Sequence, residues 1–179
     1  MVQIETARKM TKEEAREVTS VIMNSRQLTQ TPDKKIKDIF KFIPCAGAFT
    51  FIAFLSFLIF LILDSGDLMA CFGLGISVLA IFIEIFFTRT CLKYYHTMLN
   101  REATVTITLD ENGVLYDEHG AEKIQLSWSR ISAIRLFKYS VYMFPKEITG
   151  IMVCMPASEA DKIREFLAET PVQVRTIDL

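Results

Sequence analysis

IPCAGAFTFIAFLSFLIFLIL, residues 43–63, runs for twenty-one positions without a charged side chain. At about 1.5 Å of rise per residue this is roughly 30 Å of helix, the thickness of the hydrocarbon layer of a bilayer. A second stretch, LMACFGLGISVLAIFIEIFF (68–87), begins a few positions later and is interrupted only by Glu84. Helices buried in a water-soluble core run shorter and keep a polar face. Neither feature is present, so the pair predicts two transmembrane helices. Asp64, Ser65, Gly66 and Asp67 leave room for a tight turn alone, which predicts an antiparallel hairpin.

The flanks of the hairpin predict its orientation. Arg26, Lys34, Lys35, Lys37 and Lys41 precede the first span, Arg89, Lys93 and Arg101 follow the second, and the turn holds no basic residue. Basic residues collect on the cytoplasmic side, so both termini are expected there. The amino terminus lacks a basic start followed by an apolar run, so no cleavable signal peptide is expected and insertion falls to the internal segments. Across 179 residues the chain is 51% hydrophobic with a net charge of −1, a mean hydropathy of +0.29 and a pI near 6.1. No overall basic field favours nucleic acid, which is not expected as a partner. Cys45, Cys71, Cys91 and Cys154 form no CxxC pair, and only His96 and His119 could add nitrogen ligands. No metal site, disulfide framework or cofactor is expected.

Outside the spans the periodicity changes. Residues 2–7 alternate weakly, as a strand would. Thr11 and Glu14 form a T-x-x-E capping box before KEEAREVTSVIM, predicting an amphipathic helix with Ala15, Val18, Val21, Ile22 and Met23 on one face. That face is expected to pack on the protein's own domain. Residues 88–101 have good helix formers and can continue the second span beyond the headgroups. From 103 the period is two: strands over 103–109, 114–116, 123–128, 131–138, 139–144 and 150–155, with turns at 110–113 and 119–120. Ser158 is read as the cap of a closing helix over 159–169, whose Ile163, Phe166 and Leu167 share a face. The expected fold class is an α+β membrane protein. It divides into a cytoplasmic segment 1–42, a transmembrane hairpin 43–87, a juxtamembrane helix 88–102 and a cytoplasmic antiparallel, pleckstrin-homology-like (PH-like) domain 103–179.

The carboxy-terminal half carries a D-x-x-G turn at Asp110 to Gly113, a Trp-Ser-x-Ile segment at Trp128 to Ile131, an aromatic strand from Tyr139 to Phe144, and Pro156 before the last helix. In this order, after two apolar spans, it resembles the YcxB-like membrane proteins. Ala157 departs from the basic residue the family often has after the proline. The resemblance implies a bacterial inner-membrane protein with a small cytoplasmic PH-like domain.

Glu84 is the most informative single residue, because an ionisable group within a span is costly and faces protein, water or the interface. Ala70, Gly73, Ser77, Ala80 and Glu84 recur at helical spacing and make one small-residue face, where another helix can approach closely. Centring the hairpin on its turn pairs Gly73 and Ser77 with Leu58 and Phe54, and puts Glu84 near Gly47. Lys41 or Arg89 is expected to reach the carboxylate. Helix packing explains this face better than an oligomer contact, and either better than a proton path.

Gly73-Leu74-Gly75 lacks the strand, turn and lysine of a phosphate loop. His119 beside Asp117 and Glu118 could suggest a metal or acid-base site, but Gly120 marks it as a turn residue. Trp128, Tyr139, Tyr142 and Phe144 are expected as core. No nucleophile with a histidine and carboxylate stands out, so no catalytic residue and no enzymatic activity are expected. Residues 103–179 hold eight Lys and Arg against eleven Asp and Glu, a poor match to anionic lipid headgroups. The leading expectation is a non-enzymatic membrane protein, in contact with membrane lipids, that serves protein interaction or regulation with a protein partner or as a homo-oligomer. An immunity or accessory protein against a toxin and a small transporter or channel subunit are the alternatives.

Overall fold

The structure is a computed structural model that describes residues 1–6, 9–64, 67–101, 104–118, 123–147 and 152–179. They form two compact units, one from Met1–Ile36 with His96–Leu179 and the other from Lys37–Tyr95. The residues before the first apolar helix, expected as a segment of their own over 1–42, thus fold with the carboxy-terminal domain up to Ile36.

In the helical unit α3 covers Ile39–Leu63, and α4, which covers Leu68–Leu99, runs on past the unit's end at Tyr95. Both helices are long and apolar enough to cross a bilayer. Each starts on an aspartate. Asp38 Oδ1 accepts from Phe40 N at 3.1 Å, and Asp67 Oδ1 accepts from Met69 N and Ala70 N at 2.8 and 3.2 Å. These contacts satisfy amide donors that a first helical turn leaves without partners. Helix α4 continues without a break through residues 88–99, the stretch expected to prolong the second span. Ser65 and Gly66, at the centre of the expected turn, lie outside the described residues.

The other unit is built on two four-stranded sheets. The first has the order β1-β2-β3-β4, with β1 at Val2–Thr6, β2 at Val105–Leu109, β3 at Gly113–Glu118 and β4 at Ile124–Ser127, all antiparallel. Ile4, Ile107, Leu109, Val114 and Leu126 share its buried face, as the two-residue period requires. Asp110 Oδ1 accepts from the amides of Asn112 and Gly113, each at 2.8 Å, and closes the β2–β3 turn. Gly113 is required by close approach, since a Cβ there would lie 2.1 Å from the carbonyl oxygen of Leu126. Trp128 Nε1 donates to Asp110 O at 2.8 Å and its ring stacks on Phe166, so this tryptophan ties the turn to the closing helix.

The second sheet has the order β7-β6-β5-β8, with β5 at Ile131–Leu136, β6 at Ser140–Pro145, β7 at Val153–Pro156 and β8 at Arg175–Ile177. Strand β6 is buried along its whole length, because both faces are covered. Val141 and Met143 join the core shared with the first sheet and with Ile163 and Phe166 of α5, at Ala160–Glu169. Tyr142 and Phe144 point the other way, onto Val18 and Val21 of α1, at Lys12–Met23, and Leu28 of α2, at Ser25–Gln30. The apolar face of α1 packs on the protein's own sheet. Its capping box is formed: Thr11 Oγ1 accepts from Glu14 N at 3.2 Å and Glu14 Oε2 accepts from Thr11 N at 2.7 Å.

Three local expectations need correction. Ser158 does not cap the last helix; it sits in a 3₁₀ turn, Ala157–Glu159, that leads into α5, and such a turn supplies its own i→i+3 bonds. Trp128 opens a second 3₁₀ turn rather than ending a strand. Strand β8 is an element the sequence pattern does not predict: its three residues pair in parallel with β5, a partner remote in sequence. The turn at 119–120, the first residues of the strand expected at 150 and the ends of those expected at 7 and 103 lie outside the described residues.

Candidate functional site

Two sites are candidates, one in each unit. In the helical unit, Ala70 and Ser77 of α4 are 2% and 5% exposed, while Ala80 and Glu84 on the same face are half-buried. Gly73 faces the first helix so closely that a Cβ would lie 2.4 Å from Phe57 Cε1. The ring of Phe57, rather than the Leu58 expected from the register, fills the space the glycine leaves. Gly47 sits where the register puts it, beside Glu84, with 3.7 Å between a Cβ built there and Glu84 Oε2. Thr50 Oγ1 donates to Glu84 Oε1 at 2.5 Å. Among the described residues this hydroxyl, and not Lys41 or Arg89, is the partner of the carboxylate. The reason is position: Thr50 lies one turn beyond Gly47 on the facing helix, and a β-branched hydroxyl reaches across without a long flexible arm. The result is one polar contact within a small-residue packing face.

In the two-sheet unit a half-open cavity of about 390 Å³ lies against α1 and both sheets. Its size is that of a small-molecule pocket. Glu14, Val18 and Ile22 of α1 form one wall, with Met10 before it. Thr6, Val105, Tyr116, Glu118 and Ile124 come from the first sheet, and Met98 and Arg101 from the end of α4 and the residues after it. Tyr139, Ser140, Tyr142, Met152, Cys154, Met155 and Pro156 come from the second sheet and its flanks.

Polar groups gather at two places on this largely apolar lining. At the first, Arg101 forms an ion pair with Glu118 and donates to Tyr116 Oη at 3.1 Å. The hydrogen bond from Arg101 holds the Glu118 carboxyl below the usual carboxylate range, and the same bond raises the guanidinium. The phenol of Tyr116 is raised chiefly by burial. At the second, Tyr142 lies opposite Cys154 in the β6–β7 register. Tyr142 is fully buried, and among the described residues its hydroxyl makes no hydrogen bond of ordinary geometry. The thiol of Cys154 and the hydroxyl of Ser140 are its polar neighbours. Burial raises the Tyr142 phenol well above its ordinary value and pushes the Cys154 thiol up to about 11, so both keep their protons at neutral pH. A buried donor without a partner costs on the order of 1–3 kcal/mol.

On the α1 side of the second sheet, Glu17 accepts from the amide of Tyr139, 3.2 Å from each carboxylate oxygen. Burial raises its carboxyl, with these hydrogen bonds acting in opposition. Arg135 is buried and donates to the carbonyls of Pro32 and Lys34 at 2.6 and 2.8 Å, with its guanidinium 4.6 Å above the Phe137 ring. It holds the segment after α2 onto the second sheet, and an ion pair between Arg175 and Asp33 does the same from β8.

Sequence reasoning named the helix-face residues and missed the cavity. Tyr142 was legible as core, but nothing local revealed that its hydroxyl faces Cys154, or that Arg101 meets Glu118. Comparison of the chain with family models, with curated proteins and with solved structures found no match.

Proposed function

We propose that the chain is a small, non-enzymatic protein of the bacterial inner membrane, anchored by the α3–α4 hairpin and presenting its two-sheet unit to the cytoplasm for protein interaction or regulation. The observation that carries this reading is the surface of the helices. Phe49 is 78% exposed, Ile62 and Phe86 74% each, and Leu68 80%. In water such surfaces associate; in hydrocarbon they are solvated. The basic residues on both outer flanks, against none between the helices, support cytoplasmic termini. The antiparallel pairing of β1 to β4 and of β5 to β7, with α5 packed on their shared core, supports a PH-like domain of YcxB-like type. Protonated Tyr142 and Cys154 and the Arg101–Glu118 pair favour binding over covalent chemistry, since neither proton-bearing group is poised as a nucleophile.

Reporter fusions test the placement. Fusions at Met1 and at Leu179 should both read cytoplasmic, while a tag inserted at Ser65 should be reached by reagents from outside the cell. An external signal from either terminus contradicts the orientation.

A further inference from the structure

The connector between α2 and α3 carries Asp33, Lys34, Lys35, Lys37 and Asp38 within six residues. The two-sheet unit grips its backbone and its first acid: Arg135 donates to the carbonyls of Pro32 and Lys34, and Arg175 pairs with Asp33. Arg135 Nε also lies 3.6 Å from the carboxylate of Asp178, so that acid is engaged as well. Asp38 Oδ1 accepts from Phe40 N at the start of α3. The lysines are treated differently. Lys34, Lys35 and Lys37 are all exposed, and among the described residues none of them forms an ion pair. Lys123 and Lys162, exposed lysines of the two-sheet unit, each have a carboxylate at 2.8 Å. The fold thus takes up the acids of the connector and leaves its cations to the surroundings. Membrane insertion needs only the number of basic residues before a span and is indifferent to what becomes of Asp33.

We propose that Lys34, Lys35 and Lys37 together bind the phosphodiester headgroups of anionic phospholipid, of the class of phosphatidylglycerol, in the protein's own membrane. The site rests on the anchoring reading, which puts α3 in the bilayer. Chain connectivity then holds Lys35 within about 14 Å of Ile39, the first residue of α3, and Lys37 within about 7 Å. Those distances are comparable with the Debye length of roughly 8–10 Å over which an anionic surface acts on a cation. Lipid phosphates accept hydrogen bonds from ammonium groups and bring the negative charge that the connector has given up to Arg175. A free phosphate would have to be held against water by flexible ammonium groups, without the planar fork of an arginine. A bilayer presents many headgroups at once and needs no closed site.

The test uses the full chain in nanodiscs of phosphatidylcholine alone and of three parts phosphatidylcholine to one part phosphatidylglycerol. An amine-acylating reagent is applied in low-salt buffer, and the rate at each lysine is read by mass spectrometry. In the discs with phosphatidylglycerol the rates at Lys34, Lys35 and Lys37 should each fall about fivefold, as a lysine near an anionic surface predicts, while Lys123 and Lys162 keep theirs. Potassium chloride at about half molar should restore the three rates. Inorganic phosphate added to phosphatidylcholine discs at matched ionic strength should change none of them. Lys35→Glu, a change at an exposed position, returns an acid to the connector and should reduce the protection of Lys34 and Lys37 to less than about twofold. A chain that elutes apart from the discs on size exclusion defeats the anchoring reading and this site with it. A chain that elutes with both kinds of disc, and whose Lys34, Lys35 and Lys37 react equally fast in both, overturns the headgroup site and leaves the anchor standing. So does slowing shared by Lys123 and Lys162, equal protection by inorganic phosphate, or neighbours in Lys35→Glu that stay as protected as in the parent.

Discussion

In the unit Lys37–Tyr95 the outward residues are Phe49, Ile62 and Phe86, and the inward ones are Ala70 and Ser77. In the unit formed by Met1–Ile36 and His96–Leu179, Tyr142, Phe144, Ile134 and Ile163 lie inside. Water drives large apolar groups inward because their burial is worth about 1.5–3 kcal/mol each. Hydrocarbon gives no such drive, so close packing of small residues is what joins helices there. If lipid surrounds α3 and α4, as proposed, the contrast between the units is a contrast of solvents, and it yields different expectations for similar substitutions.

The sharpest break is between two phenylalanines. Phe144→Ala should cost about 3–5 kcal/mol, since it empties a site lined by Val18 and Val21 of α1, Leu28 of α2 and the neighbouring Tyr142. Phe49→Ala, on an outward face, should stay within about 0.5 kcal/mol. Urea unfolding of the protein in detergent, followed through Trp128, measures both. Comparable losses would show that Phe49 packs against protein.

Glycines extend the comparison. Gly113→Ala should cost about 1–3 kcal/mol by overpacking, because the obstacle is the Leu126 carbonyl and backbone cannot swing aside. Gly73→Leu should loosen the α3–α4 contact by a similar or smaller amount, because the Phe57 ring can rotate. Gly75→Leu is the control, since a Cβ at Gly75 meets nothing within 4 Å among the described residues. Thermal denaturation that ranks Gly75→Leu with Gly73→Leu would refute the packing face.

Glu84→Gln is expected to change stability by less than about 1 kcal/mol, because the amide can still accept from Thr50 and the cost of a half-buried charge is relieved. If instead Glu84→Gln abolishes function in cells at unchanged protein level while Gly73→Leu is tolerated, the carboxylate conducts or does chemistry, and transport replaces anchoring.

The smallest effects are in the pH dependence of the two-sheet unit, where two carboxyls shift in opposite directions from 4.5. Glu118 is lowered, so its contribution is fully present above pH 4.5 and is lost as pH falls through its folded value. Glu17 is raised, so stability declines as pH rises from 4.5 through its folded value, because the unfolded chain ionises first. In a series of unfolding curves, Glu17→Gln should remove the decline above pH 4.5, and Arg101→Gln should reduce the loss below it. A decline that persists in Glu17→Gln would assign it to another group.

What could be read from the sequence was local. Thr11 with Glu14, the Asp110 to Gly113 turn and the 3-4-3-4 spacing of Ala70 to Glu84 depend on neighbours within a turn or two. What could not be read depends on register between distant strands. Tyr142 faces Cys154 because β6 and β7 pair there, Arg135 reaches Pro32 and Lys34 across about a hundred residues, and β8 exists only because β5 offers it an edge. The Thr50–Glu84 contact lies between: the hairpin register placed Gly47 beside Glu84, but choosing the hydroxyl over a lysine required the rotamers.

The central claim is that lipid solvates the outward faces of α3 and α4, and thiol accessibility tests it most directly. In a background with the native cysteines replaced by serine, Ser56→Cys and Leu79→Cys place single thiols on outward, mid-helix positions, and Asn112→Cys places one on an exposed turn. A membrane-impermeant maleimide applied to inside-out membrane vesicles should label Asn112→Cys at once and the two helix thiols only after detergent dissolves the lipid. Immediate labelling of Ser56→Cys and Leu79→Cys in intact vesicles would mean that water, not hydrocarbon, surrounds these helices.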